Sequence, residues 1–330
     1  MRRGSILRMV TIGVVAGVVT ALVAVLVPWL PTSASEEMDR IEAVFWFTTV
    51  ISIVIFALVT AVLVYMVVKF RASPDDESDG PPIHGHTGLE IAWTAFPAAI
   101  VTAIAIVSAV ALSRNGDAGT NPVRVRVVAQ QFAWKFEYPG AGVTSGRLVL
   151  PVGRSTELEL GSVDVIHSFW VPEFGQKSDA VPGIKTRLVI TPTRLGTFPV
   201  ICTELCGLGH ATMRTEVQVV QQKEFDAWLA EQKAGAGAGG ALFVAQGCGA
   251  CHALAAAGTD AQVGPSLDGV AKAAATAGLP VAEFVRESIL EPDKVIAAGY
   301  SKGVMPGTFA GLPKDQLEAL VAFVVGGKGS

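Results

Sequence analysis

Two uncharged apolar runs constrain this 330-residue chain more than any other feature. Ala43–Val68 and Ile91–Leu112 contain no Asp, Glu, Lys or Arg. At 1.5 Å per residue, each is long enough as a helix to cross a ~30 Å hydrocarbon core. Composition agrees: 51% of residues are hydrophobic and only 16% charged, which is too apolar for an ordinary soluble protein. Lys69 and Arg71 directly follow the first run, whereas Glu36, Glu37 and Asp39 precede it. The positive-inside rule therefore places 69–90 in the cytoplasm and both outer ends outside. The acidic run 75–79 does not overturn this, because acids contribute little to orientation. The expectation is a helical hairpin over 36–115, with spans about 43–68 and 91–112 and everything after it outside. Thr48, Thr49, Ser52 and Thr60 within the first span would suit a partner helix. Upstream, the basic opening Arg2, Arg3, Arg8 leads into the apolar run Met9–Val27, then Pro28, Pro31 and the small residues Thr32–Ser35. Segment 1–35 reads as a secretory signal peptide or, given the length of the run, an extra membrane anchor. A net charge of −4 makes no case for nucleic acid.

From Val123 the pattern becomes short and alternating. Val123–Val128, Phe132–Tyr138, Gly146–Leu150, Thr156–Leu160, Thr186–Ile190 and Arg214–Val220 are separated by Gly- and Pro-rich turns. They predict an antiparallel β-sandwich over 120–222. Trp134 and Tyr138 read as core residues of it.

Within that region, Cys202-Thr-Glu-Leu-Cys206-Gly-Leu-Gly-His210-Ala-Thr-Met213 packs two thiols, an imidazole and a thioether into twelve positions. The strand-like Thr197–Ile201 delivers Cys202 to a turn, and Gly207 and Gly209 let the backbone bend back. A second strand-like run, Val163–Trp170, carries His167. Thiolate, imidazole and thioether are the ligands that copper prefers over magnesium or calcium. A structural zinc site from Cys202, Cys206, His210 and His167 is the alternative, but it leaves Met213 unexplained. With these donors on one end loop, the sandwich is expected to be cupredoxin-like.

A helix-compatible stretch, Lys223–Lys233, precedes the low-complexity run 234–240, so 223–240 reads as a helix and a flexible Ala/Gly linker. Beyond it, Cys248-Gly-Ala-Cys251-His252 is a C-x-x-C-H motif. Its thiols can form thioethers to haem vinyls while His252 ligates the iron from one side. A redox-active C-x-x-C is the alternative, but the following histidine and an exported chain speak against it. The sixth ligand would be Met305, the only methionine after Met213. Two amphipathic segments, Val281–Leu290 and Lys314–Val325, predict helices of an all-α domain over 241–330. The four cysteines thus divide into 202/206 and 248/251, with none left for a disulfide framework.

His167, with the C-x-E-x-C-x₃-H-x₂-M run of 202–213, resembles the dinuclear copper (CuA) motif of subunit 2 of the haem–copper cytochrome c oxidases. That resemblance implies that Cys202 and Cys206 bridge two coppers, and that His167 and His210 each cap one. Met213 would be a weak axial ligand, and the Glu204 carbonyl would complete the set. It implies further that the Glu204 side chain points to a magnesium at the interface with subunit 1. Glu90-Ile-Ala-Trp93-Thr-Ala-Phe-Pro97 is similar to the family's E-x-x-W-T-x-x-P, which implies proton entry at Glu90; a helix-end acid and an interfacial Trp93 are the plainer readings. Lys177–Gly183 also resembles the family, although a charged loop is usually just solvated, and His84 and His86 read as solvated loop residues. Gly264-Pro-Ser-Leu267 resembles the loop beside the histidine in class I cytochromes c. One departure stands out: in Gln131–Tyr138, Phe132 occupies the place of the family tryptophan where soluble cytochrome c delivers electrons, and Ala133 replaces the next aromatic. The resemblance implies an electron-entry subunit of a proton-pumping oxidase in a prokaryotic plasma membrane, with its copper and haem domains outside. Its partners would be subunits 1 and 3, the lipid bilayer, and cytochrome c or a quinol–cytochrome c reductase as donor. A CuA-type nitric oxide reductase subunit and a membrane-tethered electron carrier or copper-delivery protein are the other readings.

Overall fold

The computed structural model describes residues 3–71, 82, 84–235 and 238–326. The acidic run 75–79 therefore lies outside the described residues, as do 236–237 of the expected linker. Two compact units emerge: 1–32 with 39–114, and 33–38 with 115–330.

The first unit is helical. α1 (Arg3–Leu26), α2 (Glu36–Lys69) and α3 (Thr87–Asn115) are each long and apolar enough to cross a membrane. Side chains such as Val54, Leu63 and Val101 are well exposed on their surfaces, as expected of helices solvated by lipid. α1 packs on α2 through small residues. A Cβ placed on Gly13 would lie 3.3 Å from that of Ala61, and one on Gly17 would lie 3.5 Å from that of Ala57. Both pairs are spaced four apart, the pattern that lets helices approach closely in lipid. The start of α3 is capped. His86 Nδ1 accepts from Leu89 N–H at 3.1 Å, and Glu90 Oε1 accepts from His86 N–H at 3.0 Å. This reciprocal arrangement satisfies two orphan donors. His86 is thus exposed, as expected, but is also a helix cap.

The second unit holds the sandwich. Its strands are β1 (Val123–Gln130), β2 (Ala133–Tyr138), β3 (Val143–Ser145), β4 (Leu148–Pro151), β5 (Thr156–Ser162), β6 (His167–Trp170), β7 (Lys177–Ala180), β8 (Thr186–Ile190), β9 (Gly196–Cys202) and β10 (Arg214–Val220). They form two five-stranded sheets, ordered β3-β2-β1-β5-β8 and β4-β10-β9-β6-β7. The expectation of purely antiparallel pairing is too narrow: β1 runs parallel to β5, and β4 parallel to β10. Alternation in β1 buries Val123, Val125, Val127 and Ala129 while Arg124 and Arg126 face out. Trp134, Phe136 and Phe169 fill the core in edge-to-face contacts. Lys177–Ala180, read from sequence as a solvated loop, is an edge strand that pairs His167 with Ala180. Residues 33–38 join this unit. Ala34 N–H donates to Glu173 O, and Ser35 Oγ to Phe174 O.

α4 (Gln222–Gly235) lays Phe225 and Trp228 against Tyr138, at ring-centroid distances of 6.1 and 5.2 Å. α5 (Ala238–Ala245) follows, so the run expected to be a flexible linker is helical on both sides of 236–237. Glycine and alanine in a low-complexity run suggested coil, but packing against the sandwich and against later helices overrides propensity. α6 (Val270–Ala277), α7 (Val281–Leu290) and α8 (Lys314–Gly326) complete a helical domain. It has its own core of Phe243, Leu254, Val285, Leu317, Leu320, Val321 and Val324. Arg286 on α7 makes a bidentate pair with Glu318 on α8, at 2.9 and 2.7 Å.

Candidate metal centre and haem cavity

The sheet register explains how distant residues meet. β6 pairs with β9 so that Phe169 lies opposite Cys202, which sets His167 at the strand end beside the cysteine loop. Cys202 N–H donates to Met213 O at 3.2 Å, closing the loop onto the start of β10. His167, Cys202 and Cys206 are buried, with ligand atoms within 4.8 Å of one another. The two sulfurs are 3.9 Å apart, and Cys202 Sγ lies 3.9 Å from His167 Nδ1. Cys206 Sγ lies 3.7 Å from both His210 Nδ1 and Met213 Sδ. The Glu204 carbonyl sits 3.3 Å from Cys202 Sγ while its side chain is exposed. All six residues singled out in the sequence therefore converge. Five soft side-chain donors and a carbonyl, dry on one side, fit softer metals such as copper.

The sequence did not point to the residue that holds His167. Asp164 Oδ1 lies 2.9 Å from His167 Nε2, so the ring's other nitrogen, Nδ1, faces Cys202. A carboxylate that orients a ligating histidine is a recurring device of metal sites; an aspartate three residues before the histidine was the available signal. Burial would lower the His167 pKa, but its hydrogen bonds to Cys202 and Asp164 outweigh it and raise it. Burial likewise opposes ionisation of Cys202, yet hydrogen bonds from His167 and the loop backbone bring that thiol down. Burial and the neighbouring Cys202 thiolate push Cys206 up. Trp134 lies edge-on to His167 at 6.2 Å, fully buried. Phe132 rests over the loop, where a Cβ on Gly207 would meet its ring at 3.2 Å. Leu205 and Leu208, which flank Cys206, are 78% and 91% exposed and give the loop an apolar tip.

The helical domain encloses a cavity of about 550 Å³ whose lining includes Cys248, Cys251, His252 and Met305. His252 Nδ1 lies 2.8 Å from Pro265 O, so a proton there leaves Nε2 free for a metal. Burial lowers the His252 pKa, which keeps the ring neutral as ligation requires. Gly264 lets the Pro265 loop close on the ring, since a Cβ there would lie 2.6 Å from His252 Cε1. Burial pushes the Cys248 and Cys251 thiols up to about 12 and about 11. A redox-active C-x-x-C depends on a lowered thiol, and burial works in the opposite direction here. An apolar cavity of this size with two thiols, an imidazole and a thioether fits haem. Glu90, in the first unit, is exposed at the start of α3 and belongs to neither site.

Fold and sites together define a membrane-anchored electron-transfer protein, a cupredoxin-type metal domain joined to a cytochrome c-type domain. Models of the cytochrome c oxidase subunit II transmembrane domain, its periplasmic domain, and cytochrome c match residues 21–110, 142–220 and 236–328. Cytochrome c oxidase subunit 2 of Synechocystis sp. is 34% identical over 248 residues, covering 61% of this chain and 75% of that protein. That of Alkalihalophilus pseudofirmus is 32% identical over 295 residues, covering 83% and 84%. The crystal structure of the periplasmic domain of subunit II of cytochrome oxidase from Bradyrhizobium japonicum aligns with 36% of this chain and 98% of its own, at 27% identity and a TM-score of 0.35. The chain belongs to the cytochrome c oxidase subunit 2 family and is thus part of an oxidoreductase complex.

Proposed function

We propose that this chain takes in electrons at the haem cavity and passes them through a dinuclear copper centre to the oxygen-reducing subunit 1. The observation that carries the copper reading is Met213: fully buried, its thioether is 3.7 Å from Cys206 Sγ, a donor that zinc has no use for. When bound, a copper pair would supply one-electron transfer at this site. Cys202 and Cys206 would bridge, His167 and His210 would each cap one metal, and Met213 and the Glu204 carbonyl would complete the set. Asp164 orients His167, and the dry core behind Trp134 excludes water. Cys248 and Cys251 would hold haem c covalently, and His252 and Met305 would supply ligands to its iron. Pro265 fixes the tautomer that leaves Nε2 free, as a haem ligand would need.

The exposed Leu205 and Leu208 support docking of the copper loop on subunit 1, with the Glu204 side chain available to a magnesium at that interface; subunit 3 would complete the complex. Lys69 and Arg71 support an orientation with both redox domains on the outer face of a prokaryotic plasma membrane. The small-residue packing of α1 on α2 supports α1 as a retained anchor, testable by the intact mass of the purified chain. Phe132 is buried, which supports delivery by the chain's own haem domain rather than by a soluble cytochrome c docked at the copper. Glu90, exposed on the cytoplasmic side, would admit protons toward subunit 1 as well as cap α3. The test is purification in mild detergent, followed by haem, copper and oxygen-consumption measurements. Copurification with a larger haem-bearing subunit and oxygen uptake are expected; a chain isolated alone and inert toward oxygen overturns the reading. Deleting 241–330 should slow oxidation of the physiological donor strongly while small reductants still reduce the copper domain.

A further inference from the structure

The two candidate centres share a wall, and one side chain belongs to both. Gln130–Ala133, where β1 passes into β2, lines the haem cavity together with Cys248, Cys251 and His252. The contact is direct. Gln130 Nε2 donates to Gln246 O at 3.3 Å, and a Cβ placed on Gly247 would lie 3.7 Å from that of Ala133. Two of these four residues, Gln131 and Phe132, also reach the copper loop. Gln131 Nε2 donates to the carbonyl of Cys206, and Gln131 N–H donates to Asp164 Oδ2 at 2.7 Å. Asp164 in turn holds His167. Gln131 therefore ties together the backbone of one candidate ligand, the carboxylate that orients another, and the haem cavity wall. Phe132, beside it, touches the loop only by ring packing over Gly207 and Gly209.

We propose that Gln131 is the positioning residue that couples the two centres. Its side-chain hydrogen bond links the cavity wall directly to the backbone of Cys206, and so holds the cysteine loop against that wall. The inference rests on the copper and haem assignments above. The step is a one-electron transfer: ferrous iron becomes ferric and the copper pair gains one electron, with no bond formed or broken and no proton moved.

The test uses the purified complex, in which the haem is photoreduced by a flash and its reoxidation is followed against the copper near-infrared band. Gln131→Met removes the donor at similar length, and Gln131→Glu replaces the donor with an acceptor facing a carbonyl. Both are expected to retain the static haem and copper spectra and to slow the transfer by about tenfold. The wild-type rate in either variant with both spectra intact overturns the proposal. So does loss of the copper spectrum in both, since Gln131 would then build the copper site rather than join the centres. The shared wall is tested separately in the full chain by hydrogen exchange of Gln130→Ala, which removes the bond to Gln246 O. Faster amide exchange around 246–250 is expected, and wild-type exchange there overturns the shared wall. If the wild-type protein itself lacks copper or haem, the functional reading fails first, an outcome distinct from any of these.

Discussion

Gly264→Ala tests how the haem-side histidine is held. The new methyl would sit 2.6 Å from His252 Cε1, 2.8 Å from Nδ1 and 3.1 Å from Nε2, where ordinary contact begins near 3.4 Å. Neither side can yield easily. Gly264 N–H donates to Cys251 O at 2.7 Å, and His252 Nδ1 is bonded to Pro265 O at 2.8 Å. Relief must therefore break the Pro265 bond or tilt the ring. Overpacking of this kind costs ~1–3 kcal/mol, and a lost hydrogen bond ~1 kcal/mol. For a domain of this size, ~2 kcal/mol corresponds to a fall in Tm of roughly 10 °C. The assay is thermal loss of the haem Soret dichroism in the detergent-solubilised chain, together with the iron–histidine stretching frequency. A lowered Tm and a shifted frequency are expected, with copper spectra unchanged. Wild-type values for both would refute the packing of this loop on the ring.

Cys206→Ser should abolish the mixed-valence copper spectrum while leaving the haem in place; a retained spectrum at full copper content would refute the bridging role. Met305→Ala should leave haem covalently attached but convert the iron to high spin or admit a new ligand, and an unchanged low-spin spectrum would name a different sixth ligand. Glu90→Gln should slow steady-state oxygen consumption with little effect on reduction of the copper. Because the cap on His86 N–H would weaken rather than vanish, helix stability by circular dichroism should barely move. Unaffected oxygen consumption would leave Glu90 as a helix cap alone.

The residues that converge in the two candidate sites were legible because chemistry fixes their types and loop geometry fixes their spacing. Cys202, Cys206, His210 and Met213 lie on one turn, and C-x-x-C-H is a contiguous motif. Strands such as Thr186–Ile190 and helices such as Val281–Leu290 were legible because their burial alternates with the period of the element. What escaped depends on contacts between distant segments. β7 forms because its backbone completes β6, not because Lys177–Ala180 favours a strand. The 234–240 run reads as coil until the sandwich and the helical domain pack around its flanks. Gln131 and Asp164 carry ordinary polar side chains, and only the fold brings them within reach of Cys206 and His167. The parallel β1–β5 and β4–β10 pairings are a matter of topology that no local pattern records.

The central claim is that this chain carries both a dinuclear copper centre and a covalent haem. Metal analysis of the purified full-length chain, with electron paramagnetic resonance and a denaturing-gel haem stain, tests it directly. Two coppers giving a mixed-valence signal and one haem that stays with the denatured polypeptide are the predicted result. A single zinc with no copper signal, or a haem that dissociates on denaturation, would contradict it.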